Sequence, residues 1–171
     1  MNAPDPATKT LTIFRHAKSS WKDASLADHE RPLNKRGERD LPVMAARVQH
    51  AGIRPSLIIS SPAVRAWTTA KGVAHGISYP LEFLQREERL YHAGTRRILD
   101  VLAEQDTGFN SVMIVGHNPG LTDFANHLVP GVADNIPTCG FVAVTIETED
   151  WDLRHDKPIE LLMFDYPKRE A

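Results

Sequence analysis

The chain has 171 residues, 42% of them hydrophobic and 25% charged, with a formal net charge of -2. That length and composition describe one ordinary globular core and exclude a disordered or membrane-embedded protein, and the charge excludes a nonspecific grip on nucleic acid, which needs a net basic face. The single cysteine, Cys139, allows neither an internal disulfide nor a cysteine-built metal cage, in keeping with a reducing compartment.

The opening MNAPDPATKT carries Pro4 and Pro6 and no apolar run after a basic start, so it does not read as a secretory signal. Residues 1–9 are expected to form a disordered lead-in, residues 10–167 a single domain, and the protein is expected to be cytoplasmic. Three short apolar runs follow in order: LTIF at 11–14, SLIIS at 56–60 and SVMIV at 111–115. Each is brief and β-branched enough to be a strand buried on both faces.

Helical patterning fills the intervals, at Leu41 to Val48, Ala63 to Ala74 and Ile98 to Leu102. Strand and helix in alternation predict a parallel sheet flanked by helices. Asn34 can cap a helix opening at Lys35 with Pro42 inside it, or a later start near Asp40 can place Pro42 in the tolerated first turn; the sequence leaves both open. Ser61 before Pro62 predicts a serine-capped helix start, and Asn118 before Pro119 predicts a helix running towards Leu128 and ended by Pro130 and Gly131. Two further strands are expected at Gly140 to Glu147 and Ile159 to Asp165, the first with a solvent-facing side or a place near the sheet edge.

Ligands of open α/β sheets bind beyond the carboxyl ends of the strands. Arg15 and His16 follow the first predicted strand, Arg65 lies one turn beyond the second, and His117 follows the third across a glycine. Two arginines, two histidines and two helix N-termini on one rim describe a site for a dianion. Any of these residues alone reads as a solvated turn or a surface ion pair; it is their recurrence at equivalent strand ends that indicates a site.

Arginine grips phosphate through a planar fork and keeps its charge, so Arg15 and Arg65 suit a phosphoryl transition state. A neutral imidazole can attack phosphorus at physiological pH, which makes His16 the candidate nucleophile of a phosphohistidine intermediate, with His117 donating a hydrogen bond to the phosphoryl group. No histidine pair stands at metal-ligand spacing and no GxxxxGK[ST] loop is present. No metal or other cofactor is therefore expected.

The segments RHAKSSW at 15–21, RPLNKRG at 31–37, SSPAVRAWTTA at 60–70 and VGHNPG at 115–120 resemble, in that order, the motifs of the histidine phosphatase superfamily (branch 1, phosphoglycerate mutase-like), and the short chain is similar to SixA-like phosphohistidine phosphatases. The resemblance implies a three-layer α/β/α sandwich with a mainly parallel sheet. It also implies His16 as the phosphorylated residue, Arg15 and Arg65 as phosphate ligands and His117 as the second histidine of the pocket. Ala17 stands where the superfamily commonly has glycine; Lys18 and Ser19 follow it into the expected pocket wall as candidate substrate-binding residues. In REERLYHAG at 86–94, alignment on Tyr91 puts Glu88 in the place of the general acid that protonates a leaving alcohol.

Only a short segment separates the first two motifs, so the pocket is expected to be shallow and open. That suits a phosphate presented on a protein, such as a histidine phosphotransfer domain in signal transduction, better than a metabolite that must be sequestered. The competing readings are a phosphomonoesterase for a small sugar or nucleotide phosphate and, from another class, a non-catalytic module that binds phosphoproteins. Neither a nucleic-acid nor a membrane partner is expected.

Overall fold

The computed structural model describes residues 7–169. Six strands form one sheet: β1 (Thr8–Arg15), β2 (Leu57–Ser60), β3 (Gln85–Arg86), β4 (Ser111–Gly116), β5 (Phe141–Glu147) and β6 (Ile159–Asp165), in the spatial order β3-β2-β4-β1-β5-β6. The strands β1 to β4 run parallel, while β5 is antiparallel to β1 and β6 to β5. The sheet is thus mixed, with its parallel part where the expected strands lie.

Alternation along the strands divides the core between the two sheet faces. Leu11, Ile13, Val112 and Ile114 point to one side and pack with residues of α3 (Thr95–Ala103) and α4 (Gly120–Leu128). On the other side Phe14, Ile58, Met113 and Val115 pack with α1 (Lys35–His50) and α2 (Val64–Gly76). The result is the expected three-layer sandwich. Among the described residues no helix is long and apolar enough to cross a membrane.

Several boundaries differ from expectation, each for a physical reason. Of the predicted lead-in, residues 1–6 lie outside the described residues, and Thr8 and Lys9 belong to β1, paired with Glu147 and Ile146 of β5. Lys9 masked this extension because a lysine interrupts the apolar run; its buried ammonium donates to the carbonyls of Thr107 and Phe109 at 2.7 and 3.1 Å. Helix α1 starts at Lys35, with the Asn34 side chain accepting from the Gly37 amide at 2.8 Å and Pro42 inside the helix. Helix α2 begins at Val64, two residues after the predicted start, and Ser61 does not act as its cap. Strand β5 lies near the sheet edge, as one of the two expectations had it, but is buried on both faces, because β6 takes the edge itself and the small Ala143 fits the α1/α2 side.

The chain leaves β1 for α1 on one face and leaves the adjacent β4 for α4 on the other. A crevice opens where such connections diverge, beyond the carboxyl ends of the two strands. That crevice holds the expected site.

Candidate active site

Register brings the two histidines together. Arg15 pairs with Gly116 in the parallel ladder, so the next residues, His16 and His117, leave the sheet side by side with ring centroids 5.2 Å apart. The His16 amide still donates to the Gly116 carbonyl at 3.1 Å, which holds the turn against the sheet. A pocket of about 240 Å³ forms here, lined by Arg15, His16, Lys18, Ser19, Trp21, Arg31, Arg65, His92, His117, Asn118 and Thr138.

His16 is 7% exposed. Its Nδ1 lies 2.7 Å from the Ala17 carbonyl oxygen. A carbonyl only accepts, so Nδ1 carries the proton and Nε2 carries the free lone pair. Burial, with help from the cations Arg65, Arg15 and Arg31, pushes the His16 pKa down to about 4. The ring is therefore neutral and nucleophilic at neutral pH.

His117 is held differently. Its Nε2 meets the Ser61 hydroxyl at 2.7 Å, and that hydroxyl accepts from the Ala63 amide at 3.3 Å. Ser61 Oγ, which still has its own proton to give, can donate to Nε2, and that arrangement puts the proton of His117 on Nδ1. This Nδ1 is buried and without a partner. Burial first, then the neighbouring His16 and Arg65, push the His117 pKa down to about 3, so His117 also works as a neutral donor. The sequence predicts Ser61 as a helix cap; in the structure it orients a histidine.

Three arginines face the pocket. Arg15 Nη1 donates to the Ile136 carbonyl at 2.9 Å, and burial lowers its pKa. Arg65, 4% exposed, donates Nη1 to the Asp28 carbonyl at 2.7 Å and Nη2 to Asp28 Oδ2 at 3.0 Å. Arg31, in the second motif, contacts Asp28 Oδ1 at 3.3 Å and stacks its guanidinium 3.4 Å from the Trp21 ring centroid. Arg15 Nε, Arg31 Nη1 and Arg65 Nε are each buried without a partner. Buried orphan donors are costly, and four in one pocket, with His117 Nδ1, fit a multiply charged oxyanion.

Asp28 is the carboxylate of this cluster. The Tyr91 hydroxyl donates to its Oδ2, and with Arg65 holds the carboxyl well below the usual carboxylate range. The sequence places the segments 25–31 and 92–95, which hold Asp28, Arg31 and His92, only at the site entrance, and Trp21 at the end of RHAKSSW, with no role for any of them.

Of the expected residues, Arg15, His16, Arg65, His117, Lys18 and Ser19 all line the pocket. Glu88 does not: it sits exposed on a 3-10 turn, Glu88–Leu90, while Tyr91 and His92 just beyond it reach the site. Ala17 needs no glycine, since its φ is not positive, its amide donates to Thr69 Oγ1 at 2.9 Å and its methyl packs in the α1/α2 core. The motif glycines have steric reasons instead. A Cβ on Gly37 would stand 2.2 Å from the Lys18 carbonyl, and one on Gly120 would stand 1.7 Å from that of Ala93. Among the described residues no group of three or more His, Cys, Asp or Glu side chains gathers to hold a metal.

The family model described as the histidine phosphatase superfamily (branch 1) matches residues 11–91, which include the first three motifs. An uncharacterized chloroplastic protein of Arabidopsis thaliana is 28% identical over 161 residues, covering 88% of this chain and 73% of its own length. Among solved structures, one assigned as the phosphohistidine phosphatase SixA of Agrobacterium tumefaciens superposes with a TM-score of 0.78 at 24% identity, over 93% of this chain and 98% of that one. The protein histidine phosphatase SixA complexed with tungstate gives 0.72 at 21% identity, over 92% and 97%. A mycobacterial glucosyl-3-phosphoglycerate phosphatase gives 0.65 at 15% identity, over 90% and 97%. The fold is the phosphoglycerate mutase-like one that the motifs implied.

Proposed function

On the premise that the chain belongs to the histidine phosphatase superfamily (branch 1), whose model it matches over residues 11–91, we propose that it is a metal-independent phosphatase that removes phosphate from phosphohistidine on a signalling protein. The observation that carries this reading is the neutral His16 ring, its Nδ1 proton tied to the Ala17 carbonyl and its Nε2 free in a pocket of unpartnered cationic donors.

In the first half-reaction His16 Nε2 forms a bond to phosphorus as the bond to the leaving group breaks in line. Arg15, Arg31 and Arg65 spread the charge of the equatorial oxygens, and His117 Nδ1–H donates to one of them. Phosphorylated His16 becomes cationic, and its Nδ1–H bond to the Ala17 carbonyl stabilises that charge. Water then attacks phosphorus from the vacated side as the P–Nε2 bond breaks; its protons leave with the product as dihydrogen phosphate, and the bond's electron pair returns to Nε2 of neutral His16.

What the pocket offers a leaving group supports this substrate class. An alkoxide needs a proton from a general acid, whereas a phosphoramidate nitrogen takes up a proton readily and leaves as neutral imidazole. Glu88 is outside the pocket, and Asp28, held ionised by Tyr91 and Arg65, is a poor acid. The pocket therefore favours phosphohistidine over alkyl phosphates.

The test is phosphate release, in EDTA, from a phosphohistidine-bearing transfer domain and from an alkyl phosphate, by wild type and His16→Ala. Turnover of the domain that is lost in the variant is expected. A preference for the alkyl phosphate, or activity that EDTA removes and magnesium or zinc restores, would overturn the reading.

A further inference from the structure

Beside the catalytic pocket lies a larger open cavity of about 560 Å³, lined by Arg89, His92, Gly94, Arg96, Arg97 and Asp100. His92 lines both, so the two adjoin at that residue. The charges around the second cavity are not balanced alike. Arg89 is paired with Glu87 and Glu104, and Asp100 lies 3.6 Å from Arg154. Arg96 and Arg97 are exposed and, among the described residues, neither has an ion-pair or hydrogen-bond partner.

Their position makes this costly. Both lie in the first turn of α3, where the backbone dipole disfavours cations, and no acidic residue stands in that turn to offset them. The same chain supplies carboxylates to Arg89 and Arg154 nearby. A local rule broken without compensation at the edge of a site points to a role outside the folding of the chain.

We propose that Arg96 and Arg97 form a docking surface for acidic side chains of the protein that carries the phosphoryl group. This deepens the phosphatase reading and rests on it. Charge complementarity sets the chemistry of the partner, and two further features favour a macromolecule over a small bis-anion. The cavity is open and wide, and on the catalytic pocket's rim Trp21 is 76% exposed although Arg31 stacks on its ring, an exposed aromatic of the kind that anchors protein interfaces. Acidic residues flanking the phosphohistidine would settle over Arg96 and Arg97 while the phosphoryl group enters beside His92.

The experiment uses two synthetic phosphohistidine peptides, one flanked by aspartates and one by neutral residues, together with an alkyl monophosphate, an alkyl bisphosphate and p-nitrophenyl phosphate. Wild type is expected to prefer the acidic peptide in kcat/KM by about tenfold at low salt, with the preference shrinking as salt is raised. Arg96→Ala/Arg97→Ala removes that preference and leaves p-nitrophenyl phosphate turnover unchanged. Equal rates for the two peptides in wild type, a preference that survives in the double variant, or a loss of p-nitrophenyl phosphate turnover of the same size overturns the proposal. A selective loss of the bisphosphate with no effect on the peptides overturns it in favour of a small substrate.

Fluorescence anisotropy of the labelled unphosphorylated peptides gives a readout independent of catalysis. Tighter binding of the acidic one by wild type alone supports the docking surface even if no substrate is turned over. Equal binding by wild type and the double variant counts against the surface while leaving the phosphatase reading standing.

Discussion

Arg65 and Asp28 form a two-point contact across the mouth of the pocket: the guanidinium donates Nη1 to the Asp28 backbone carbonyl at 2.7 Å and Nη2 to its carboxylate at 3.0 Å. The contact fixes the plane of the guanidinium and leaves Nε and the second Nη2 proton for phosphate. It also places a negative charge beside the anion that Arg65 must bind. Asp28→Asn keeps the shape and removes the charge, so inorganic phosphate should inhibit it severalfold more strongly than it inhibits wild type. Asp28→Ala loosens Arg65, and kcat should fall by about tenfold. Product-inhibition constants and steady-state rates on the two variants check both.

Removal of the nucleophile gives the largest effect. His16→Ala should lose at least about a thousandfold in kcat, as removal of a covalent nucleophile generally does, while its melting curve stays cooperative. Rapid quench of wild type with a phosphohistidine substrate, followed by peptide mapping, should place an acid-labile phosphoryl group on His16. Labelling at another histidine would disprove the assignment.

The depressed pKa values set two pH dependences. Because His16 stays neutral down to about pH 4 and His117 to about pH 3, the acid limb of kcat/KM should lie near pH 4, not near the ordinary histidine value of 6.5. For stability the unfolded chain binds more protons than the folded one between those values, so stability rises with pH across the window and is lost as pH falls from 6.5 towards 4. His16 alone accounts for up to about 3 kcal/mol of that loss. His16→Gln should flatten the chemical-denaturation stability profile over this range.

Ser61→Ala withdraws the hydroxyl that orients His117 and leaves Nε2 unpartnered. We expect kcat to drop by about tenfold with little change in KM, and Ser61→Thr to restore much of it. An equal loss in both variants would mean the serine acts only in packing.

Glu88→Gln should leave the turnover of phosphohistidine and of p-nitrophenyl phosphate within about twofold of wild type, the scatter expected for an exposed substitution away from the reacting atoms. A steep loss confined to the ester would return Glu88 to the role its motif suggests.

The sequence by itself determined three of the four parallel strands, missing the two-residue β3, and the chemistry of the sheet's rim. Short β-branched runs such as SVMIV have few other ways to be buried, and Arg15, His16 and His117 sit immediately after them, where strand-end geometry decides their place. Glu88 stands exposed outside the pocket, since a motif aligned on Tyr91 fixes a position along the chain but not whether a turn aims that side chain inward. What only the tertiary structure decided is how distant segments meet: the register of Arg15 with Gly116 that sets the two imidazoles 5.2 Å apart, and the loop that carries Asp28 onto Arg65. Local patterning records which face of an element is apolar, and these contacts depend instead on the packing of loops against one another, which leaves no period in the sequence to read.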